Sequence, residues 1–272
     1  MKISVIGLGF VGSAMFESFK QNGVTDLTGY DKYKKIGSLD TCLASEIIFL
    51  ALPTPYQESK AEYDKSAIEE TLSYLSNNDF SGLVVIKSTV EPETTVNFSN
   101  KFKNLSLLHN PEFLTERTAL EDFNNQKHVV LGASPSCGNT QLKDAIKFYS
   151  KFYPKAKISI CNSTESESMK IFANSFYSVK VQFFNEIYLL CEKTGCDYAT
   201  VKSLMLENGW INPMHTQVPG PDGLLSYGGS CFPKDTNALL KYMKKYDTPS
   251  KVLEATVLER NEIRPDKTNI ID

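Results

Sequence analysis

Gly228-Gly229-Ser230-Cys231-Phe232-Pro233-Lys234-Asp235 places one cysteine behind a turn of small residues, with a lysine three and an aspartate four positions further on. A thiolate is a strong nucleophile, and a nearby cation raises the thiolate fraction at neutral pH. The aspartate can orient water or a proton. A structural cysteine buried in a turn is the commoner meaning of such a triplet, so the rest of the chain has to decide.

The opposite end carries the deciding motif. Lys2-Ile3-Ser4-Val5-Ile6 reads as a short apolar strand running into Gly7-Leu8-Gly9-Phe10-Val11-Gly12, and a helix can begin at Ser13. A second strand, 27–30, ends in Asp31, nineteen positions after Gly12. In this context Gly7, Gly9 and Gly12 let backbone approach a pyrophosphate at a helix N-terminus, and the acid can bind ribose hydroxyls. Phe10 and Val11 lie within the same turn. An acid at that place favours NAD over NADP, whose 2′-phosphate it repels. Lys32, Lys34 and Lys35 follow closely and pull the other way; NAD is the cofactor expected. A secretory signal is excluded by the glycines in the run and by the strand–helix pattern it opens.

These residues need a scaffold, and the first half of the chain supplies an alternating one. Apolar strands are expected at 46–52, 83–89, 105–109 and 128–131, with a helix over 66–75. Strands separated by helices predict a parallel sheet covered on both faces, with the ligand site at the strands' carboxyl ends. Thr54, Thr89 and Glu112 all stand just past such ends. After Cys161 the pattern changes. Residues 165–193 contain no proline or glycine, and Met169, Phe172, Phe176, Val179, Phe183 and Ile187 recur at helical spacing. The result is a helix of roughly 40 Å at 1.5 Å per residue, long enough for a domain backbone or a dimer seam. Further helices are expected at 197–206, 236–246 and 250–263, around a loop at 208–227 long enough to be functional. The fold class expected is therefore α/β: a Rossmann-like parallel sheet domain over 1–162, then a helical domain over 163–272 with one long central helix and Cys231.

Composition sets the outer limits. A chain of 272 residues can hold two cores. A net charge of −3 gives no electrostatic reason for a nucleic-acid or anionic-membrane partner, and no apolar run reaches the length of a membrane span. The six cysteines lack the paired spacing of a zinc site or a disulfide framework, so reduced thiols in the cytoplasm and no metal are expected. Lys143, Lys147 and Lys151 read as a solvated helix face. His109, His128 and His215 are scattered, and none receives a catalytic role. Within the long helix, Lys170 and Asn174 share one face. Together they can stabilise an oxyanion or move a proton, and the apolar Phe172 and Phe176 beside them point part of that surface inward.

Seven segments in register now carry a resemblance: Gly7 to Gly12, Pro53-Thr54-Pro55, Lys87-Ser88-Thr89-Val90, Asn110-Pro111-Glu112-Phe113-Leu114, Lys170 with Asn174, Asn185-Glu186-Ile187, and Gly228 to Asp235. The chain resembles the UDP-glucose/GDP-mannose dehydrogenase family over nearly its whole length. That resemblance implies an NAD-dependent, four-electron oxidation of a nucleotide-sugar C6 alcohol to a carboxylate, with UDP-glucose as the expected substrate. It implies that Cys231 attacks the C6 aldehyde to give a thiohemiacetal and then a thioester. Lys170 and Asn174 would hold the C6 oxygen, with Lys170 also moving a proton, while Asp235, Thr89 and Glu112 surround the hydrolytic water. The cofactor would meet Thr54, Thr89 and Lys234 besides the glycine turn and Asp31. The sugar nucleotide would meet Glu112, Phe113, Leu114, Glu116, Lys170, Asn174, Tyr227 and Gly228, in a homodimer built on the long helix.

Three departures from the family pattern sharpen the expectation. Members typically continue into a third, Rossmann-like unit that helps clamp the nucleotide diphosphate, whereas this sequence ends at Asp272. No lysine or arginine stands between Lys202 and Lys234, where relatives place an arginine that reaches a partner's sugar. The loop from Pro213 to Tyr227 is a few residues longer than usual. The nucleotide is then expected in an open site, held by loop 208–227, by backbone amides and by Arg260 or Arg264 of a second copy. Two other readings compete. A β-hydroxyacid dehydrogenase pairs the same kind of domains but needs no nucleophilic cysteine, and a non-catalytic NAD-binding partner would not need the chemical residues at all.

Overall fold

The computed structural model describes residues 1–57, 59–60 and 62–266, with the side chain of Glu116 outside that set. Its elements, in chain order, are β1 (Ile3–Ile6), α1 (Phe10–Gln21), β2 (Leu27–Tyr30), α2 (Leu39–Cys42), β3 (Ile47–Leu50), the short β4 (Tyr56–Gln57) and β5 (Glu62–Tyr63), α3 (Ser66–Asn77), β6 (Leu83–Ile86), α4 (Thr94–Lys101), β7 (Ser106–His109), α5 (Ala119–Asn124), β8 (His128–Ala133), α6 (Asn139–Phe152), β9 (Lys157–Asn162), α7 (Ser163–Thr194), α8 (Tyr198–Glu207), α9 (Phe232–Lys245) and α10 (Lys251–Ile263). Two compact units result. The first comprises Met1–Pro55 and Tyr63–Lys170; the second holds Tyr56–Glu62 and everything from Ile171 on. The division falls inside α7, directly after Lys170, whereas the boundary expected from sequence lies at the joint between β9 and α7.

In the first unit a seven-stranded sheet runs in the order β2-β1-β3-β6-β7-β8-β9. Its central strands, Ile-Ser-Val-Ile, Ile-Ile-Phe-Leu and Leu-Val-Val-Ile, are buried along their whole length, as parallel strands covered on both faces must be. The expected Rossmann-like sheet is present, with two corrections. The β7–β8 pair is antiparallel, with Leu108 opposite Ala133. An edge strand the sequence reading did not locate, β9, pairs parallel with β8. One face carries an aromatic cluster, where Phe49 of β3, Phe123 of α5 and Phe148 of α6 pack around Phe19 of α1. Burying each such ring contributes about 1.5–3 kcal/mol relative to leaving it in water. The other face is mainly aliphatic, with Ile68, Leu72 and Leu75 of α3 and Phe98 of α4 covering Ile48, Val84 and Leu107.

In the second unit the described residues from Ile171 on contain no strand, as expected. The 32-residue α7, about 48 Å long at 1.5 Å per residue, packs Phe184 and Cys191 on Tyr198 of α8. Asp197 starts α8 by accepting from the Thr200 N–H at 2.8 Å and from its hydroxyl at 2.6 Å. Pro233 stands in the first turn of α9, where its missing N–H costs nothing.

Candidate active site

At the carboxyl edge of the sheet the parallel ladder continues one residue beyond the strands. Gly7 N–H donates to Tyr30 O, Ala51 N–H to Ile6 O, Lys87 N–H to Leu50 O, and Asn110 N–H to Ile86 O, all at 2.8–2.9 Å. These four bonds set the glycine turn, the 51–55 segment, the Lys87-Ser88-Thr89 segment and the Asn110-Pro111-Glu112 segment side by side. Thr54 closes that row by donating its hydroxyl to Thr89 O at 2.8 Å.

The glycine turn is shaped by contacts that only glycine permits. Gly7 sits at φ +88°, and a Cβ there would meet Ala51 O at 2.5 Å. A Cβ on Gly12 would fall 1.7 Å from Gly7 O, so the first turn of α1 closes directly onto the strand end. Around Gly9, by contrast, no atom of the described residues beyond its chain neighbours and the backbone of α1 lies within 4 Å of the corresponding position, and no side chain caps α1. This open helix N-terminus fits a dinucleotide pyrophosphate. Phe10 is exposed and Val11 half-buried beside it. Asp31 is buried, with one carboxylate oxygen on Leu8 N–H at 2.8 Å and the other on the N–H groups of Tyr33 and Lys34 at 3.0 and 2.8 Å. Burial pushes its carboxyl up, but those backbone bonds and the Lys34 charge outweigh it and hold the group below its ordinary value. The anion therefore persists where a ribose would bind, while the Lys34 ammonium folds back onto Leu8 O.

Three strands along the same edge, past the end of β7, lies a buried charge cluster. Lys170, near the end of the first unit, donates to Glu112 twice, to the carboxylate at 3.0 Å and to the backbone carbonyl at 2.7 Å, with its ammonium 5.4 Å from the Phe113 ring centre. Glu112 also accepts from Leu114 N–H at 2.7 Å, so one carboxylate ties the loop and the helix together. Phe113 is exposed and stacks on His128 at 6.2 Å, and Leu114 is half-buried. Glu116 opens a short 3-10 turn; its side chain lies outside the described residues. Behind this cluster sits Lys87, to which the sequence reading gave no role. It is fully buried and donates to Asn110 Oδ1 at 2.9 Å, an atom that also accepts from the Tyr149 hydroxyl. Desolvation pulls the Lys87 ammonium down to about 7, with Glu112 opposing and Lys170 reinforcing the drop. A lysine closing a wholly apolar strand was the available signal.

The second unit holds the candidate nucleophile. Cys231 is the residue from which α9 starts, half-buried, with Ser230 Oγ 3.7 Å from its sulfur. One turn along, Asp235 is fully buried between two donors, Asn174 Nδ2 at 2.6 Å and Lys234 Nζ at 2.5 Å. Cys231 and Asp235 thus share a helix face, and Asn174, four residues beyond Lys170 on α7, is oriented by Asp235. Anionic charge developing beside Cys231 meets the positive end of a 14-residue helix. Tyr227 is buried with the Arg260 guanidinium 5.7 Å over its ring, and Gly228 touches Arg264. Arg260 and Arg264 are themselves buried and ion-paired within this unit. This corrects the expectation that they reach a nucleotide across a dimer: neither guanidinium is presented to solvent.

Residues 35–153 match the NAD binding domain and residues 164–262 the central domain of the UDP-glucose/GDP-mannose dehydrogenase family. UDP-glucose 6-dehydrogenase from Rhizobium meliloti (strain 1021) is 32% identical over 222 residues, covering 79% of this chain and 49% of that protein. The enzyme of the same name from Rickettsia bellii (strain RML369-C) is 35% identical over 231 residues, covering 81% and 50%. Among solved structures, a UDP-glucose dehydrogenase from the hyperthermophilic archaeon Pyrobaculum islandicum superposes with a TM-score of 0.81 at 26% identity, over 96% of this chain and 68% of that one. The chain spans about half the length of the curated relatives it matches.

Proposed function

This chain belongs to the UDP-glucose/GDP-mannose dehydrogenase family, and on that premise we propose that it oxidises the C6 alcohol of a nucleotide sugar, UDP-glucose first, to the carboxylate. NAD would be held by the turn from Gly7 to Gly12, by Asp31 and by Thr54, Thr89 and Lys234, and when bound would supply the hydride acceptor for each of the two oxidations. As the first hydride leaves C6, Lys170 takes up the hydroxyl proton and passes one of its own to the Glu112 carboxylate paired with it, so that it remains an ammonium. The Cys231 thiolate then adds to the aldehyde carbon, forming a C–S bond, and the resulting alkoxide is stabilised by Lys170 and by the second amide hydrogen of Asn174. Loss of the second hydride leaves a thioester. Asp235, with Thr89 and Glu112, directs water at that carbon; the C–S bond breaks and the thiolate returns. Per sugar, two hydrides and three protons leave and one water is consumed.

The observation that carries this reading is Cys231 at the start of α9 with a fully buried Asp235 one turn on, hydrogen-bonded to Asn174. An aldehyde that must be oxidised again in the same site needs a covalent anchor, and a positioned thiol supplies one. The test is the number of NADH formed per UDP-glucose. Two are expected, with Cys231→Ser abolishing acid formation at nearly unchanged NAD affinity. One NADH would favour the β-hydroxyacid reading, none the non-catalytic partner, and near-normal turnover by the serine variant would exclude the thioester.

We further place the protein in the cytoplasm as a homodimer. All six cysteines are free, as a reducing compartment favours. Phe172, Phe176, Phe183 and Leu190, spaced by four and seven residues, leave an exposed apolar line along α7 that suits a second copy.

A further inference from the structure

The loop that delivers Cys231 is held from two sides by groups with no other evident task. Three successive carbonyls accept from guanidiniums of α10 and the residue after it. Arg264 donates to Leu225 O at 3.0 Å and Ser226 O at 3.3 Å, and Arg260 to Tyr227 O at 3.2 Å. Asp266 bridges the pair, at 2.8 Å from Arg260 and 2.7 Å from Arg264, and Asp222, three residues before Leu225, pairs with Arg264 at 2.8 Å. From α7, Asn185 accepts the Ser226 N–H at 2.8 Å while Gln182 takes the Ser226 hydroxyl.

Ser226 lies at φ +60°, a left-handed conformation that a non-glycine residue keeps only when its surroundings over-determine it. At Gly228 a Cβ would come within 2.4 Å of the Arg264 guanidinium, so the plane of that group lies directly against the backbone two residues before Ser230. Two buried cations are an expensive way to stabilise a fold, since apolar residues of similar volume often do as well. What a guanidinium offers instead is a rigid fork that fixes several acceptors at once.

We infer that Arg260 and Arg264 are positioning residues, which lock the backbone of Leu225, Ser226 and Tyr227 and thereby set how Gly228, Gly229 and Ser230 present the Cys231 thiol. The inference rests on Cys231 being the nucleophile, as proposed above. A lysine cannot substitute, because a single ammonium does not span Leu225 O, Ser226 O, Asp222 and Asp266 together.

The experiment uses the full chain with Arg264→Gln, Arg264→Lys, Gly228→Ala and the double variant Gly228→Ala/Arg264→Gln. Iodoacetamide alkylation of Cys231 is read by peptide mass spectrometry against Cys196, an exposed cysteine, alongside kcat and KM for UDP-glucose. Each lost charge-assisted bond corresponds to roughly a tenfold effect or more. The single variants should therefore lower kcat at least about tenfold and shift the Cys231:Cys196 alkylation ratio several-fold, while NAD affinity and the far-ultraviolet spectrum stay at wild-type values. Arg264→Lys should fail to rescue, and the double variant should be milder than the product of the singles because the clash is gone. Should Arg264→Gln not fold, Gly228→Ala decides alone, since it disturbs the lock while leaving both arginines in place. Folded variants with an unchanged alkylation ratio and kcat would overturn the inference. If the wild type forms no NADH, the alkylation ratio still decides the positioning role, and only the functional reading fails.

Discussion

Raising the pH from 5 to 8 removes a proton that the fold retains on Glu167. This residue lies on the first turns of α7, three positions before Lys170, and is wholly buried. One carboxyl oxygen accepts from Thr95, at 2.7 Å from the N–H and 2.5 Å from the hydroxyl, at the N-terminus of α4. Burial pushes the carboxyl up to about 7, and the Thr95 bonds only partly offset it. Because the folded value is raised, the group's contribution to stability is fully present below its unfolded value of 4.5 and is lost as the pH climbs through 7. At about 1.4 kcal/mol per unit, the window from pH 5 to 8 spans about 2–3 kcal/mol. In a chain of this size that corresponds to roughly 5–10 °C in Tm. Lys87 acts with the opposite sign. Its value is depressed to about 7, so its contribution is full above its unfolded value of 10.5 and falls away as the pH drops toward 7.

Thermal unfolding of wild type and Glu167→Gln across that range isolates the Glu167 part, since Lys87 is common to both. Glutamine keeps an oxygen for Thr95 but does not titrate. The stability difference between the two proteins should change by about 2–3 kcal/mol from pH 5 to 8, to the relative benefit of the variant at the upper end. Parallel curves would refute the assignment of a raised carboxyl to Glu167. They would also mean that the turn carrying Lys170 is not anchored through a protonated acid.

Two further outcomes are expected. Asp235→Asn should slow thioester hydrolysis by about 100-fold or more, so intact-mass measurement after mixing with UDP-glucose and NAD should find an adduct of substrate mass on Cys231; a normal steady-state rate would remove Asp235 from the water step. Phe176→Glu should convert a dimer to a monomer by light scattering with little change in Tm, since the side chain is 64% exposed, and persistence of the dimer would exclude this stretch of α7 as its seam.

What the sequence made legible was decided by contacts close along the chain or by geometry that admits one residue type. Gly12 is readable because any Cβ would strike Gly7 O. The Cys231-to-Asp235 spacing is readable because a helix begins between them and brings i and i+4 onto one face. The edge strand β9 escaped because Lys-Ile-Ser-Ile-Cys-Asn is half-buried and lacks the unbroken apolar run of β3 or β6. Likewise, nothing in the composition of β7 and β8 sets the direction of their pairing.

Charge is the harder case. Arg260 and Arg264 read as free cations because their sequence neighbours are polar. Yet Arg264 finds Asp222 forty-two residues upstream and ends nearly as buried as a core leucine. Lys87 shows the same logic at the sheet edge, with its acceptor Asn110 twenty-three residues away. A lone positive charge in a sequence therefore leaves two opposite assignments open, a grip on an anionic ligand or a clamp on backbone carbonyls. Only the acceptors brought in by the fold choose between them. In this chain the chosen acceptors are the three carbonyls that lead to Cys231, which moves the arginines from the substrate's recognition to the nucleophile's placement.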